Sequence, residues 1–445
     1  MKLGVSLMDV VTPAQASFVG LSRAAAWADP LEASRRLARP SFFWEQGPEQ
    51  LLCVGFGTCA VEQGDAGGLK GVLERVERAP LQWLDEGGGP SSAGPWFGGF
   101  AFDPVQAPDA WWEGFPTTRW VMPSLLLRQH RAQQSLCAFE QVAADDVDGA
   151  IRRCQRRLDE ALEKLALRTA LETRANPGLE LHEGDRPGWD ALMALALASI
   201  EAGALEKVVL ARPMDVHAQQ AWEPLDVVER ARASGAQTTI FMVTEPSGGA
   251  FIGATPELLC EIDGTRLSTE ALASSASPRD TKVLASGDKE RREHQSVVDS
   301  IRTALGPLSE RISVRSEPKL LELSYVAHLR TPVEVTLRHG VSAASVILAL
   351  HPTSAVGGTP RVEALAFLRD HEKLHRGWYA GAVGWMGPGR VHLNVALRSA
   401  VLRGNRARLF VGAGVVRGST SEREWNETAL KSRPMLSALG ELRHG

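Results

Sequence analysis

"GAGVVRGSTSEREWNETALK", Gly412 to Lys431, joins a glycine-interrupted apolar run to a charged helical pattern. Ser421 followed by Glu424 three residues on has the spacing of a capping box, so a helix is predicted to start at Ser421. Glu424, Glu427 and Lys431 then share one stripe of that helix, with Trp425 and Ala429 on another. Taken alone, the stripe is explained as a solvated face whose early acids suit the helix dipole. Upstream, "VHLNVALRSAVL" (391–402) and "ARLFVGAGVV" (407–416) flank Gly404-Asn405 and read as an antiparallel hairpin. Strand alternation puts Val391, Leu393, Val395 and Leu397 on one face and His392, Asn394, Ala396 and Arg398 on the other. Gly412 and Gly414 weaken the second strand and mark a place where a ligand or another backbone comes close. Pro434 is expected to bend or end the helix one turn after Lys431.

A second segment changes the weight of the charged stripe. In "SGDKERREHQSVVDSIRTAL" (286–305), Glu293, Val297, Ile301 and Leu305 recur every four residues, so a carboxylate heads an apolar stripe. A carboxylate at the rim of a core needs a partner, either a basic side chain or a metal ion. Further upstream, "PGWDALMALALASIEAG" (187–203) has helix punctuation, with Pro near its start and Gly203 after its end. It runs into "EKVVLARPMDV" (206–216), whose β-branched residues indicate a strand. Lys207 at that strand's start is read, from its position alone, as an edge lysine. His351 before Pro352 is open to three readings: catalytic, metal-binding, or a hydrogen-bonded loop residue.

The first 140 or so residues alternate short apolar runs with Gly/Pro breaks, which suits strands and turns. A charged helical stretch, 145–174, follows and ends at Asn176-Pro177-Gly178, the most credible linker in the chain. The chain thus divides into an N-terminal part, 1–178, and a part spanning 186–440.

The 445 residues carry 49 basic and 53 acidic side chains, a formal net charge of −4. That balance argues against nucleic acid or anionic lipid and makes a small molecule the default partner. The N-terminus does not read as a signal peptide, and no stretch reaches the roughly 18 apolar residues of a membrane span. Cys53, Cys59, Cys137, Cys154 and Cys260 show no C-x-x-C spacing and are read as free thiols of a reducing cytoplasm. "GFGTCA" (55–60) matches a dinucleotide turn but is not followed by a firm helix. A phosphate loop, an H-E-x-x-H helix and a G-x-S-x-G elbow are all missing.

Taken in order, "EKVVLAR" (206–212), "FIGATPELL" (251–259), "STEALASSAS" (268–277), "DKERREH" (288–294), "HPTSAVGGTP" (351–360), "GWYAGAVGW" (377–385), "VALRSA" (395–400), "GAGVV" (412–416) and "EWNETALK" (424–431) resemble the chorismate-utilising enzymes. Within that family the chain is most similar to the isochorismate synthases, and "STEALA" looks like their menaquinone-pathway type rather than the siderophore type. The resemblance covers 186–440 strongly and "FGGFAFDP" (97–104) more loosely. It implies one large α/β (α+β) body in which two antiparallel sheets pack together with helices outside. The 176–178 linker then becomes an internal connection.

The resemblance also implies roles. Lys207 would be the general base that activates water, and Glu257 the general acid that protonates the departing hydroxyl. A lysine with a reference pKa of about 10.4 would have to be made neutral for this, and the glutamate held protonated. Glu293 and Glu427 would hold Mg²⁺, with Glu290 and Glu424 acting through water one turn earlier. Arg398 and Lys431 would bind the substrate's carboxylates, with Gly412, Gly414, Ala355, His351, Ser274 and Ser275 completing the pocket. Ala355 resembles the water-using branch; the aminating relatives typically carry threonine there and take ammonia from a glutaminase partner, so no such subunit is expected. A monomer or weak dimer follows. A salicylate synthase, which also eliminates pyruvate, is the alternative activity, and a non-catalytic chorismate-binding paralogue the alternative of another class. One departure concerns the pocket directly: relatives usually read Leu-Ala-Gly-Ser/Thr where this chain has Leu272-Ala273-Ser274-Ser275, placing a side chain where flexibility or clearance is expected.

Overall fold

The computed structural model describes residues 18–442 except 48–50, 65–67, 88–93, 107, 144–145, 168–177, 236, 277–280, 282–283 and 285–286. The N-terminal residues read above for a leader, and Asn176-Pro177 of the linker, lie outside the described residues.

Alternation along the strands explains the layering. In Pro40–Gln46, Phe42 and Trp44 enter one apolar cluster while Phe43 enters another; in Leu51–Phe56, Leu51 and Cys53 oppose Leu52 and Val54. Both faces of this sheet are therefore covered. Among the described residues the strands form a fourteen-stranded and a ten-stranded sheet. Pairing is antiparallel except where Phe18–Ala24 meets Leu81–Glu86 and Gly178–His182 meets Glu441–Leu442. Strands from either side of residue 178 interleave: Pro40–Gln46 pairs with Thr239–Thr244 in the larger sheet, and Trp96–Phe100 with Ala382–Gly387 in the smaller.

The sheets pack face to face through aromatics. Phe42 of the larger meets Phe97 of the smaller with ring centroids 4.5 Å apart, and Trp44 meets His392 edge-on at 5.7 Å. Helices Pro30–Leu37, Val147–Ala166, Pro224–Ala231 and Ser421–Leu439 cover the other face of the larger sheet with their buried stripes. Asp288–Leu305 packs on the strand Arg266–Ala276, and Val297, Ile301 and Leu305 are buried as their spacing predicts. No helix among the described residues is long and apolar enough to cross a membrane.

As expected from the absence of a following helix, "GFGTCA" joins the strands Leu51–Phe56 and Ala60–Gly64 through Gly57 at φ 64, a strand-to-strand turn. Three local expectations are corrected. The C-terminal helix does run Ser421–Leu439, but its cap is Thr420, which accepts from the Arg423 N–H at 3.4 Å, and Ser421 donates to Asp190 instead. Pro434 does not end this helix. Met435, Leu436, Ala438 and Leu439 beyond it are buried, and the last carbonyls are satisfied by Arg230 Nε at 2.6 Å and Trp222 Nε1 at 2.8 Å, so packing and capping outweigh the lost hydrogen bond. The third correction is the strand expected at 391–402. It breaks at 396–398: Arg390–Val395 belongs to the smaller sheet and Ser399–Arg403 to the larger, so Arg398 sits in a left-handed link at φ 50 and not on a strand face. The hairpin itself, Ser399–Arg403 with Arg406–Val416 around Gly404-Asn405, is present.

Candidate active site

The chain crosses between the two sheets at two neighbouring points, and each places a charged side chain between them. Ala250–Thr255 of the larger sheet passes through Pro256 and Glu257 into Leu258–Asp263 of the smaller; the return crossing is 396–398, with Arg398. The crossings are tied together, since Val395 N and Asn394 Nδ2 both donate to the Glu257 carbonyl at 3.0 Å. Both Glu257 and Arg398 are buried beside one cavity.

Lys207 enters from the first position of the strand Lys207–Ala218. Antiparallel register sets Val209 against Gly414 and Ala211 against Gly412. A Cβ on Gly414 would stand 2.9 Å from Lys207 Cε and 3.3 Å from Glu293 Oε1, so the bare backbone there makes room for this pair. A Cβ on Gly412 would meet the Tyr379 hydroxyl at 3.0 Å. Lys207 is buried, not an edge lysine, and its Nζ is ion-paired to Glu293 Oε1 at 2.9 Å.

Two helices supply the acids. Asp288–Leu305 presents Glu290 and Glu293 from its first turns, and Ser421–Leu439 presents Glu424 and Glu427. The second stripe is therefore not a solvated face: Glu424 is buried, and Trp425 on the neighbouring stripe stacks against Arg212, 3.6 Å from its ring centroid. Lys431 bridges to Glu427 at 2.6 Å and donates to the Gly412 carbonyl at 3.0 Å. Glu290 faces Arg423 at 3.7 Å.

The electrostatics separate the acids by role. Burial pushes the Glu257 carboxyl up to about 8, reinforced by Glu270, while Lys207, Lys431 and Arg398 pull it partly back. It is therefore protonated at neutral pH. Glu293 behaves oppositely: burial alone would raise it, but the charge and hydrogen bond of Lys207 outweigh burial and hold it below the usual carboxylate range. Arg398 has no carboxylate ion-paired to it among the described residues. Its Nη2 donates to His328 Nε2 at 3.1 Å, and burial lowers its guanidinium to about 10. The accepting Nε2 leaves the His328 proton on Nδ1, which faces Ser275 Oγ at 3.2 Å and the Ser274 carbonyl at 3.3 Å. Burial, with Arg398 and Lys431 nearby, holds that imidazole neutral. Burial also pushes the Tyr379 hydroxyl up to about 12, so it stays a donor.

Every residue expected at the site lines this cavity except His351: Lys207, Glu257, Ser274, Ser275, Glu290, Glu293, Ala355, Arg398, Gly412, Gly414, Glu424, Glu427 and Lys431 converge there. His351 instead gives its Nε2 to the Phe102 carbonyl at 2.9 Å and lies edge-on to Phe100, a hydrogen-bonded loop residue whose burial holds its imidazole down at about 4. The sequence reading missed His328, Tyr379 and Arg376, which also line the cavity. Tyr379 lies within "GWYAGAVGW", where nothing local marks it as functional, while His328 sits in an ordinary strand pattern and becomes a cavity residue only through its register opposite Ser275.

Known proteins match this arrangement. The sequence profile of the family described as chorismate binding enzyme matches residues 7–440. The salicylate biosynthesis isochorismate synthase of Pseudomonas aeruginosa is 34% identical over 91% of this chain and 86% of its own length. Isochorismate synthase MenF of Bacillus subtilis is 29% identical over 96% of this chain and 94% of its own. The solved structure of MenF, the menaquinone-specific isochorismate synthase from Escherichia coli, superposes with a TM-score of 0.76 at 26% identity, covering 95% of this chain and 94% of that one. The chain belongs to the chorismate binding enzyme family.

Proposed function

We propose that this chain is an isochorismate synthase, an isomerase that moves a hydroxyl group between ring carbons of chorismate. Water adds at one carbon as hydroxide leaves another, and the double bonds shift between them, so composition is unchanged. The observation that carries the reading is the opposed pair in one cavity: a buried carboxyl that keeps its proton, Glu257, and a buried lysine, Lys207. Glu257 gives its proton to the departing hydroxyl, which leaves as water. Lys207 Nζ takes a proton from the attacking water, and solvent exchange returns both groups to their starting forms. In the arrangement described here Nζ is paired with Glu293, so Lys207 must first release a proton to serve as base. Arg398, buried and without a carboxylate ion-paired to it among the described residues, is suited to a substrate carboxylate, and Lys431 also lines the cavity wall. The Tyr379 hydroxyl, in the same cavity wall, is a further donor.

Glu290, Glu293, Glu424 and Glu427 offer only oxygen donors, from two facing helices, which fits Mg²⁺. Mg²⁺ commonly takes one or two protein carboxylates and keeps several waters. Glu293 and Glu427 would hold it. When bound, Mg²⁺ supplies positive charge against a substrate carboxylate.

Ala355 in the cavity wall supports water rather than ammonia as the nucleophile, with no glutaminase subunit. The five free thiols, four of them buried, suit a reducing cytoplasm. The test is product identification from chorismate with and without Mg²⁺. Isochorismate is expected, without salicylate fluorescence and without an aminated product when ammonium is added. Lys207→Ala is expected to lower turnover by about 10²–10⁴-fold. Unchanged consumption of chorismate by that variant would remove Lys207 from the chemistry.

A further inference from the structure

The strand Arg266–Ala276 carries a bulge at the cavity wall. Opposite Ala327–Leu337, Ala273 pairs with Leu329 and Ser275 with His328, which leaves Ser274 as the extra residue. In a regular strand two consecutive side chains face opposite sides. Here both serines line the cavity, because Ser274 turns into the left-handed region at φ 57. That conformation favours glycine, and serine is held in it only if its surroundings compensate.

The compensation is visible in what its hydroxyl touches. Ser274 is buried, and its Oγ lies 2.8 Å from the Glu290 carbonyl and 3.2 Å from Glu293 Oε2. Its one proton is shared between the backbone of the helix Asp288–Leu305 and the carboxylate that helix presents. The two oxygens of Glu293 are then both engaged, Oε1 by Lys207 and Oε2 by Ser274. A glycine at 274 has no means of doing this.

We propose that Ser274 is a positioning residue for Glu293: its hydroxyl fixes the carboxylate's orientation, and with it the affinity of the site for Mg²⁺. The inference rests on the reading of Glu293 as a metal-holding residue. It predicts a specific split. Removing the hydroxyl weakens Mg²⁺ binding while leaving the acid–base pair in place.

The experiment compares the full chain with Ser274→Ala, Ser274→Gly and Glu293→Gln. Mg²⁺ is titrated against thermal stabilisation in the presence of equilibrated chorismate and isochorismate, and separately against turnover. Ser274→Ala keeps the strained backbone and loses the hydroxyl, whereas Ser274→Gly loses both. Each is expected to raise the half-saturating Mg²⁺ concentration by about tenfold, the scale of one hydrogen bond to a charged group, in the thermal-stabilisation titration as well as in turnover. Ser274→Ala titrating like the parent while Glu293→Gln does not would overturn the positioning role and leave the metal reading intact. Glu293→Gln itself titrating like the parent would overturn both.

Discussion

Two arginines line the same cavity and have opposite surroundings. Arg376 is buried and fully engaged: its guanidinium meets both oxygens of Glu372 at 2.6 and 2.8 Å, the Val209 carbonyl at 2.6 Å and the Val356 carbonyl at 3.0 Å. Glu372 in turn accepts the Ala211 N–H at 2.9 Å. Burial would lower Arg376, but the charge of Glu372 outweighs it and holds the guanidinium above its ordinary value. Arg398 is also buried, meets a neutral imidazole and, among the described residues, no carboxylate ion-paired to it, and is lowered. A buried charge whose hydrogen bonds are all made within the protein belongs to the architecture, here clamping the Lys207 strand to the loop that carries Ala355. A buried charge left without a counter-ion suits an anion from outside, because carrying it is costly until that anion arrives.

The comparison can be broken by experiment. The largest effect is expected for Arg376→Met, which strands Glu372 in the core: about 3–5 kcal/mol of stability should be lost, measured by denaturant unfolding. A stability close to that of the parent would mean Arg376 is no clamp. Arg398→Met should do the reverse, leaving stability level or higher because an unpaired buried cation is gone. Its kcat/KM for chorismate should fall by about 2–5 kcal/mol of binding, some thirtyfold or more. If its melting temperature drops as that of Arg376→Met does, the contrast between the two arginines fails.

The smallest effect sharpens the same contrast through Glu257, which shares the cavity with both. Its proton is held up to about 8, so turnover should fall as pH rises through that value, about tenfold per unit once the acid is ionised. The stability consequence has a definite sign. In the unfolded chain the carboxyl ionises near pH 4.3, so between there and about 8 the folded state binds the extra proton. The contribution is complete below the lower value and is lost as pH rises through the upper one. Glu257→Gln should remove this slope from a plot of stability against pH, and an unaltered slope would show that the carboxyl is not held protonated.

The order of motifs along the chain made the family legible, and spacing alone disclosed local features: the buried stripe of Val297, Ile301 and Leu305 below Glu293, and the hairpin around Gly404-Asn405. What periodicity misread were the places where a local preference meets a tertiary demand. Arg398 was assigned to a strand face because "VALRSA" alternates, yet the chain has to change sheets there. Pro434, expected to bend or end its helix, does not end it, because buried side chains and two carbonyl-capping partners carry the helix past it. His351, whose position left a loop role open and which the resemblance placed in the pocket, is held by a carbonyl and an aromatic ring.

By itself the sequence determined which residues can do acid–base and oxygen-donor chemistry and which local elements carry them, because side-chain identity and short-range periodicity are properties of neighbouring residues. Only the tertiary structure decided which of those groups are neutral, which are paired and which are left waiting. Ionisation and pairing depend on burial and on charges that the chain brings together from residues 207, 257, 293, 398 and 431, and none of these is a neighbour of another in sequence.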